Sequence, residues 1–433
     1  MNLIYLNCVK NADECDYLFV VSPKIETKIC TKCGSCNVVN YGRYTKLVRD
    51  ININEHYTAL KIRGHKHLCK GCGSIFVDRF NTLDLCSKMT NRLRCKIQQL
   101  SLTKPFKHIA REYKLSVTTI EKIALAYIRE KDSQHIMYSP EVLGIDEAHL
   151  NGSIRCVLTD INEHLLFEML PKRDKQTVIN YLDSLPDSNN IKIVTMDMYR
   201  PYREAVYECL PDAAIVIDKF HVVKLINDVL SDYKKTLCKQ LPAAEKKEIN
   251  SVQKALNTNR KDLTANQNKK LGYIYSKYPE LKMAYDLKEE FREIYECTNR
   301  RAAVLKYTKW SRKVKQNFSP YISITETVNR WSLEIFNYFD HPYTNGVTEA
   351  INGCIKAIAR DGKGYSFEIL RGKVLYGQAY KTKAIFSYNK FSPTIHYVTG
   401  PSNRSSLNMI QNLMDSYKQL SEADNDRLKL GLF

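Results

Sequence analysis

Two aspartates stand directly after runs of β-forming apolar residues. Asp146 closes the run VLGID, and Asp197 closes IKIVTMD. The sequence predicts that each strand stops burying itself there and turns a carboxylate to solvent. Two carboxylates on rigid strand ends suit Mg²⁺ or Mn²⁺, hard cations that take oxygen ligands. Taken singly, each is better explained as a strand-end or helix-capping aspartate; the pair within one α/β unit weakens that explanation. Glu349 supplies a third acid. On a helix starting at Asn345, helical spacing puts Val347, Ile351, Cys354, Ile355 and Ile358 on one side and Glu349, Asn352, Lys356 and Arg360 on the other. A solvated face is the plain explanation for such a glutamate. A carboxylate, an amide and two cations in one stripe would also suit a metal and a phosphate backbone together. Gly362 and Gly364 end this helix.

A second chemistry lies near the N-terminus, where Cys30 and Cys33, then Cys69 and Cys72, form two CxxC knuckles, each followed by glycine. Four thiolates fill a tetrahedral zinc site, and matched knuckles at such spacing are a strong zinc signal. Cys36 and Cys86 are rival ligands, and buried free thiols are the alternative to a metal. A redox dithiol fits less well, because neither knuckle follows a strand and opens a helix. The segment 104–129 has helix-turn-helix spacing. Phe106, Ile109, Ala110 and Tyr113 mark a first helix and Leu115 the turn, and Ser116 or Thr118 can cap a second helix that buries Ile120, Ile123 and Ala124. Thr118, Thr119, Glu121 and Lys122 would then face a DNA major groove; an ordinary helical hairpin is the competing reading.

The elements that must hold these residues follow from periodicity. Residues 1–85 are rich in Cys, Gly and β-formers, including Lys46–Val48 and Ala59–Ile62, and are expected to form a zinc-binding domain. Residues 90–135 carry the helix-turn-helix. From 140 to 224, three strands are followed by helix, strand, helix, strand, with helices from Asp174 to Leu185 and Pro201 to Leu210, which is a mixed α/β order. Residues 225–340 read as a charged helical block, with a loop or helix break at 257–270. Residues 341–390 carry the Glu349 helix, and 391–433 form a tail without a readable pattern. Trp310 and Trp331, the only tryptophans, are expected in the core, with stacking on a DNA base as the alternative.

Net charge is +19, with the basic residues spread along the chain. That balance says nothing of fold but favours polyanionic partners, nucleic acid first. No apolar run is long enough to span a membrane. The segment MNLIYLNCVKNADECDYLFVV has acidic residues before its short apolar run and no basic n-region, so it makes a poor signal peptide. A cytoplasmic, nucleoid-associated protein with reduced cysteines is expected.

Beyond these readings, GIDE at 144–147, MDMYRPYREAV at 196–206, DKFHVVKLIN at 218–227 and TNGVTEAINGCIKAIARDGKGYSF at 344–367 resemble the ISL3-type insertion-sequence transposases. The zinc knuckles and the helix-turn-helix are similar to that family's N-terminal region, and the resemblance runs from about residue 28 to 385. It implies a DDE-type, RNase H-like α/β core with a mixed five-stranded sheet, interrupted by an all-helical insertion. By motif the acids are Asp146, Asp197 and Glu349, with Asp218 and His221 of the D-x-F-H element in support. It also implies catalytic Mg²⁺ or Mn²⁺, double-stranded DNA partners (terminal inverted repeats and target), and a homo-oligomer on DNA. A catalytically inert DNA-binding regulator and a structure-selective nuclease are the rival functions.

Overall fold

The computed structural model describes residues 3–12, 15–23, 29–78, 88–150, 152–317 and 319–388. Cys86 and the tail from 391 lie outside the described residues. The chain divides into two compact units. One holds the described residues of Met1–Ile136 and Ile358–Lys381, the other those of Met137–Ala357 and Thr382–Phe433.

In the first unit, β1 (Leu3–Ala12), β2 (Cys15–Pro23), β3 (Val38–Arg49), β4 (Thr58–Cys69) and β5 (Ile75–Val77) form a five-stranded sheet. The runs Lys46–Val48 and Ala59–Ile62 lie within β3 and β4, which pair antiparallel along nearly their full lengths. Val21, Val48, Leu60 and Ile62 bury the sheet's apolar face. Three helices follow: α1 (Asn91–Thr103), α2 (Phe106–Glu112) and α3 (Val117–Gln134). Ser116 caps α3, its hydroxyl accepting from Thr119 N at 3.2 Å, and Ile109, Ala110, Ile120 and Ala124 pack in one core with Leu93 and Ile97.

In the second unit, β6 (Val142–Leu150), β7 (Ser153–Asp160), β8 (Leu165–Leu170), α4 (Lys175–Leu182), β9 (Ile193–Met196), α5 (Arg200–Cys209) and β10 (Ala214–Ile217) occur in the predicted order. The sheet runs β10-β9-β6-β7-β8. β6, β7 and β8 pair antiparallel, whereas β9 and β10 join β6 in parallel, so it is a mixed α/β sheet. These strands read as continuous apolar runs because the sheet is buried: every residue of β8 and β9 is buried.

Helices then follow almost without interruption: α6 (Lys219–Lys239), α7 (Ala243–Ser251), α8 (Gln253–Asn257), α9 (Ala265–Lys277), α10 (Pro279–Arg292), α11 (Arg300–Asn317), α12 (Ile322–Arg330) and α13 (Ser332–Phe336). The expected break at 257–270 falls between the end of α8 at Asn257 and the start of α9 after the Thr264 cap. Trp310 and Trp331 are both core residues, and Trp310 Nε1 donates to Leu287 O at 2.8 Å. Base stacking by either is excluded in this conformation, because neither ring face is accessible. α14 (Gly346–Gly362) and α15 (Phe367–Tyr388) complete the described chain.

Candidate active site and cysteine cluster

The strand register places the acids. Ile145 of β6 and Ile217 of β10 both pair with Met196 of β9. The residues immediately after that row are Asp146, Asp197 and Asp218, at the carboxyl ends of the parallel ladder, where ligands of open α/β sheets bind. One expectation needs correction: β6 does not stop at Asp146. It continues to Leu150, paired with β7 alone, and Asp146 sits opposite Val157. It is the parallel partner β9 that ends, which opens this side of β6 to other groups.

Asp146 is 9% exposed. Burial, and then the neighbouring Asp197 carboxylate, push its pKa up to about 6. Its Oδ1 accepts from Glu147 N at 2.7 Å and its Oδ2 from Asn352 Nδ2 at 2.8 Å. His221, in the first turn of α6, lies 2.8 Å from Asp197 Oδ1 and 3.5 Å from Asp218 Oδ2 through Nδ1. Burial works against a charge on this ring, but the two carboxylates prevail and hold its pKa up to about 10. Asp197, Asp218 and His221 form a compact donor set, with one ligand atom from each within 4.8 Å of the others. Asp146 and Glu349 stand outside that set. Asp218 also caps α6, accepting from Phe220 N at 3.3 Å. Its position was legible, since AAIVID ends as IKIVTMD does, yet the spacing alone marked only Asp146 and Asp197.

α14 is fastened to the sheet by a polar seam. Asn345, just before it, donates to Ile145 O at 3.1 Å and accepts from Thr195 Oγ1 at 2.8 Å. Thr348 meets Thr159 across 2.7 Å. Asn352 binds Asp146 and also Glu147 O, at 3.3 Å. Gly144 makes this approach possible: a Cβ there would lie 2.3 Å from Thr159 Oγ1 and 2.7 Å from Thr348 Oγ1. The expected division of the helix therefore shifts. Asn352 is not on an exposed stripe with Glu349; it is 4% exposed and shares the buried face with Thr348, Ile355 and Ala359. Apolar counting missed this face because two of its members are polar and are satisfied by the sheet. Glu349, Lys356 and Arg360 are exposed. Glu349 occupies the first turn of α14, one turn before Asn352.

Beside the acids, Arg173 grips Glu147 with Nη1 at 2.6 and 2.5 Å from the two carboxylate oxygens, and its guanidinium lies 4.8 Å from the Tyr199 ring centroid. This pair was not foreseen; the GIDE motif offers Glu147, but nothing local points to Arg173.

In the first unit, one sulfur from each of Cys30, Cys33, Cys69 and Cys72 lies within 4.8 Å of the others. Cys30 and Cys72 are 3.6 Å apart and Cys33 and Cys69 3.5 Å apart. The knuckles are built alike. Cys30 N donates to Ser35 O and Gly34 N to Cys30 O, just as Cys69 N donates to Ser74 O and Gly73 N to Cys69 O. Gly34 and Gly73 have φ of +71° and +70°, which explains glycine at both positions. Hydrogen bonds led by the Ser74 hydroxyl pull the Cys30 pKa down to about 5, whereas at Cys33 the backbone of Ser35 is outweighed by the three neighbouring sulfurs, which push its pKa up to about 12. Cys36 is exposed and outside the group. Of the groove-facing residues expected on α3, Thr118 and Lys122 are exposed and Thr119 half-buried.

Comparison with known proteins gives the class. The family pattern described as a transposase, that of the ISL3 type, matches residues 143–374. The chain belongs to the ISL3 family of transposases, enzymes that act on DNA. It is similar to the transposase for insertion sequence element IS1001 of Bordetella parapertussis, at 27% identity over 80% of this chain and 87% of that protein. It is also similar to the transposase for insertion sequence element IS1557 of Mycobacterium tuberculosis, at 24% identity over 52% of this chain and 56% of that protein. Among the described residues no helix is long and apolar enough to cross a membrane.

Proposed function

We propose that the second unit is an RNase H-like core with a helical insertion at 225–340, and that Asp146, Asp197 and Glu349 are the acids of a DDE-type site that cuts and rejoins DNA at the ends of an insertion sequence. The carrying observation is that Asp146 and Asp197 follow the last paired row of β6 and β9 while the Glu349 helix is tied to Asp146 through Asn352. Three aspartate carboxylates gathered at one sheet edge, with the single His221 imidazolium against Asp197 and Asp218, leave a net negative charge that suits a hard divalent ion such as Mg²⁺ or Mn²⁺. Such an ion would supply a lowered pKa for the attacking hydroxyl and compensation of charge at the scissile phosphate. Asp146 and Asp197 would serve as its oxygen ligands. Asn352 fixes the orientation of Asp146, and His221 that of Asp197. The compactness of the Asp197, Asp218 and His221 set favours Asp218 as a further ligand.

The cysteine cluster fits structural zinc, since sulfur separations near 3.5 Å match thiolates around one tetrahedral ion. α2 and α3 fit a helix-turn-helix, with Thr118, Thr119 and Lys122 toward the major groove and Lys356 and Arg360 toward phosphates. Because two element ends must be joined, the active form is a homo-oligomer on double-stranded DNA, and the location that of bacterial DNA.

The test is strand cleavage of cognate element ends in Mg²⁺. Asp146→Asn, Asp197→Asn and Glu349→Gln each abolish cleavage and leave end binding largely intact. Cleavage surviving any one substitution removes that residue from the site. Strand-transfer product separates a transposase from a nuclease that cuts without rejoining.

A further inference from the structure

α11 has a charge pattern unlike a merely solvated helix. Over Arg300–Asn317 it carries Arg300, Arg301, Lys306, Lys309, Arg312, Lys313 and Lys315 and no acid at all. Like charges three and four residues apart destabilise a helix, so the pattern costs free energy unless something offsets it. Three of these cations are offset by neighbouring elements. Arg300 pairs with Asp340, Lys306 with Glu293 and Lys313 with Glu290, at 3.1, 2.9 and 2.9 Å. Arg301, Lys309, Arg312 and Lys315 are exposed, and no ion pair or hydrogen bond engages them among the described residues.

These four fall in one wedge of roughly 120° at 3.6 residues per turn, and from first to last they span about 21 Å, the rise of about six base pairs. The opposite face is held rigidly. Ala303, Tyr307, Trp310 and Val314 are buried, Trp310 Nε1 bonds Leu287 O, and Tyr307 OH bonds Thr325 O at 3.1 Å. A stiff row of unpaired cations at that spacing is complementary to a phosphate backbone. Leu305, 56% exposed amid the row, adds apolar contact of the kind deoxyribose offers.

We infer that the outer face of α11 is a DNA-backbone-binding surface, engaging about four phosphates without reading sequence. The inference rests on DNA as the partner of this family and not on the assignment of the acids. The test uses full-length protein and a random-sequence DNA duplex, with affinity measured by fluorescence anisotropy across a NaCl titration. The quadruple variant Arg301→Gln, Lys309→Gln, Arg312→Gln, Lys315→Gln weakens binding roughly 10- to 100-fold and reduces the salt slope by up to about 3.6, at about 0.9 per phosphate contact. The double variant Lys306→Gln, Lys313→Gln, in cations already paired, changes the slope much less. Equal slopes for the quadruple variant and the parent overturn the inference. So does a variant whose mass in solution drops while its DNA affinity holds, which would make this face a protein contact. Because the readout is binding, loss of the α11 surface and loss of the catalytic acids are distinguishable: acid variants alter cleavage and leave this slope unchanged.

Discussion

The amide of Asn352 takes one oxygen of Asp146, and the Glu147 N–H takes the other. Burial and the nearby Asp197 carboxylate raise the Asp146 pKa to about 6, and two neutral hydrogen-bond donors hold its oxygens in place. Asn352 itself is incompletely satisfied, since its Oδ1 is buried without a hydrogen-bond partner. Asn352→Leu keeps the branching and heavy-atom count but strips a donor from a buried acid, at a cost of about 1–3 kcal/mol in stability. It also lets Asp146 turn, and a misplacement of that kind lowers cleavage by about 10- to 100-fold. Denaturation midpoints and single-turnover cleavage rates measure the two effects; unchanged values in both would deny Asn352 any part in the site.

Among the elements, α15 shows how a helix far along the sequence becomes part of the first unit's core. Gly372 meets Ile128 of α3 and Gly377 meets Leu102 O of α1 so closely that a Cβ at either would lie 2.6 Å from them. Lys373, between the two glycines, is 3% exposed, donates to Ser101 O and to Lys104 O at the end of α1, and lies 5.0 Å from the Phe106 and Tyr365 rings. Burial pushes its pKa down to about 7. The unfolded chain therefore binds a proton that the folded one lacks between about pH 7 and the ordinary lysine value near 10.4. In that window stability rises with pH, by at most about 1.4 kcal/mol per unit, and the benefit is lost as pH falls through 7. Lys373→Met flattens this slope. Urea denaturation at several pH values checks it, and an identical slope in the variant would mean the ammonium stays charged in the fold.

For the whole molecule, each unit has apolar cores of its own, which predicts separable responses to metal removal. A strong chelator, or Cys69→Ser at a fully buried sulfur, lowers the melting of the first unit and leaves that of the second in place. A small sheet with few buried side chains would lean on an ion held by the four cysteines, because binding energy there is folding energy. Hydrogen exchange resolved by segment reads both units at once. Protection in β3 and β4 that is indifferent to chelation would count against a structural ion.

What the sequence determined by itself was local or periodic. Paired CxxC-Gly knuckles, apolar runs ending in aspartate, the Ser116 cap and the order of strands and helices are each written in neighbouring residues, and neighbouring residues were enough to find them. The motifs around Asp146, Asp197 and Glu349 likewise carried the family resemblance. Tertiary structure decided the rest. Whether Asp218 joins Asp197 depends on β9 and β10 sharing a register. Which side of α14 is buried depends on Thr159, Thr195 and the carbonyl of Ile145, residues some 150 to 200 positions away. Glu147 finds Arg173 only once β8 has turned back along β7. Hydrogen bonds between distant side chains leave no periodic trace, and a polar helix face satisfied by a sheet looks, in sequence, like one facing water.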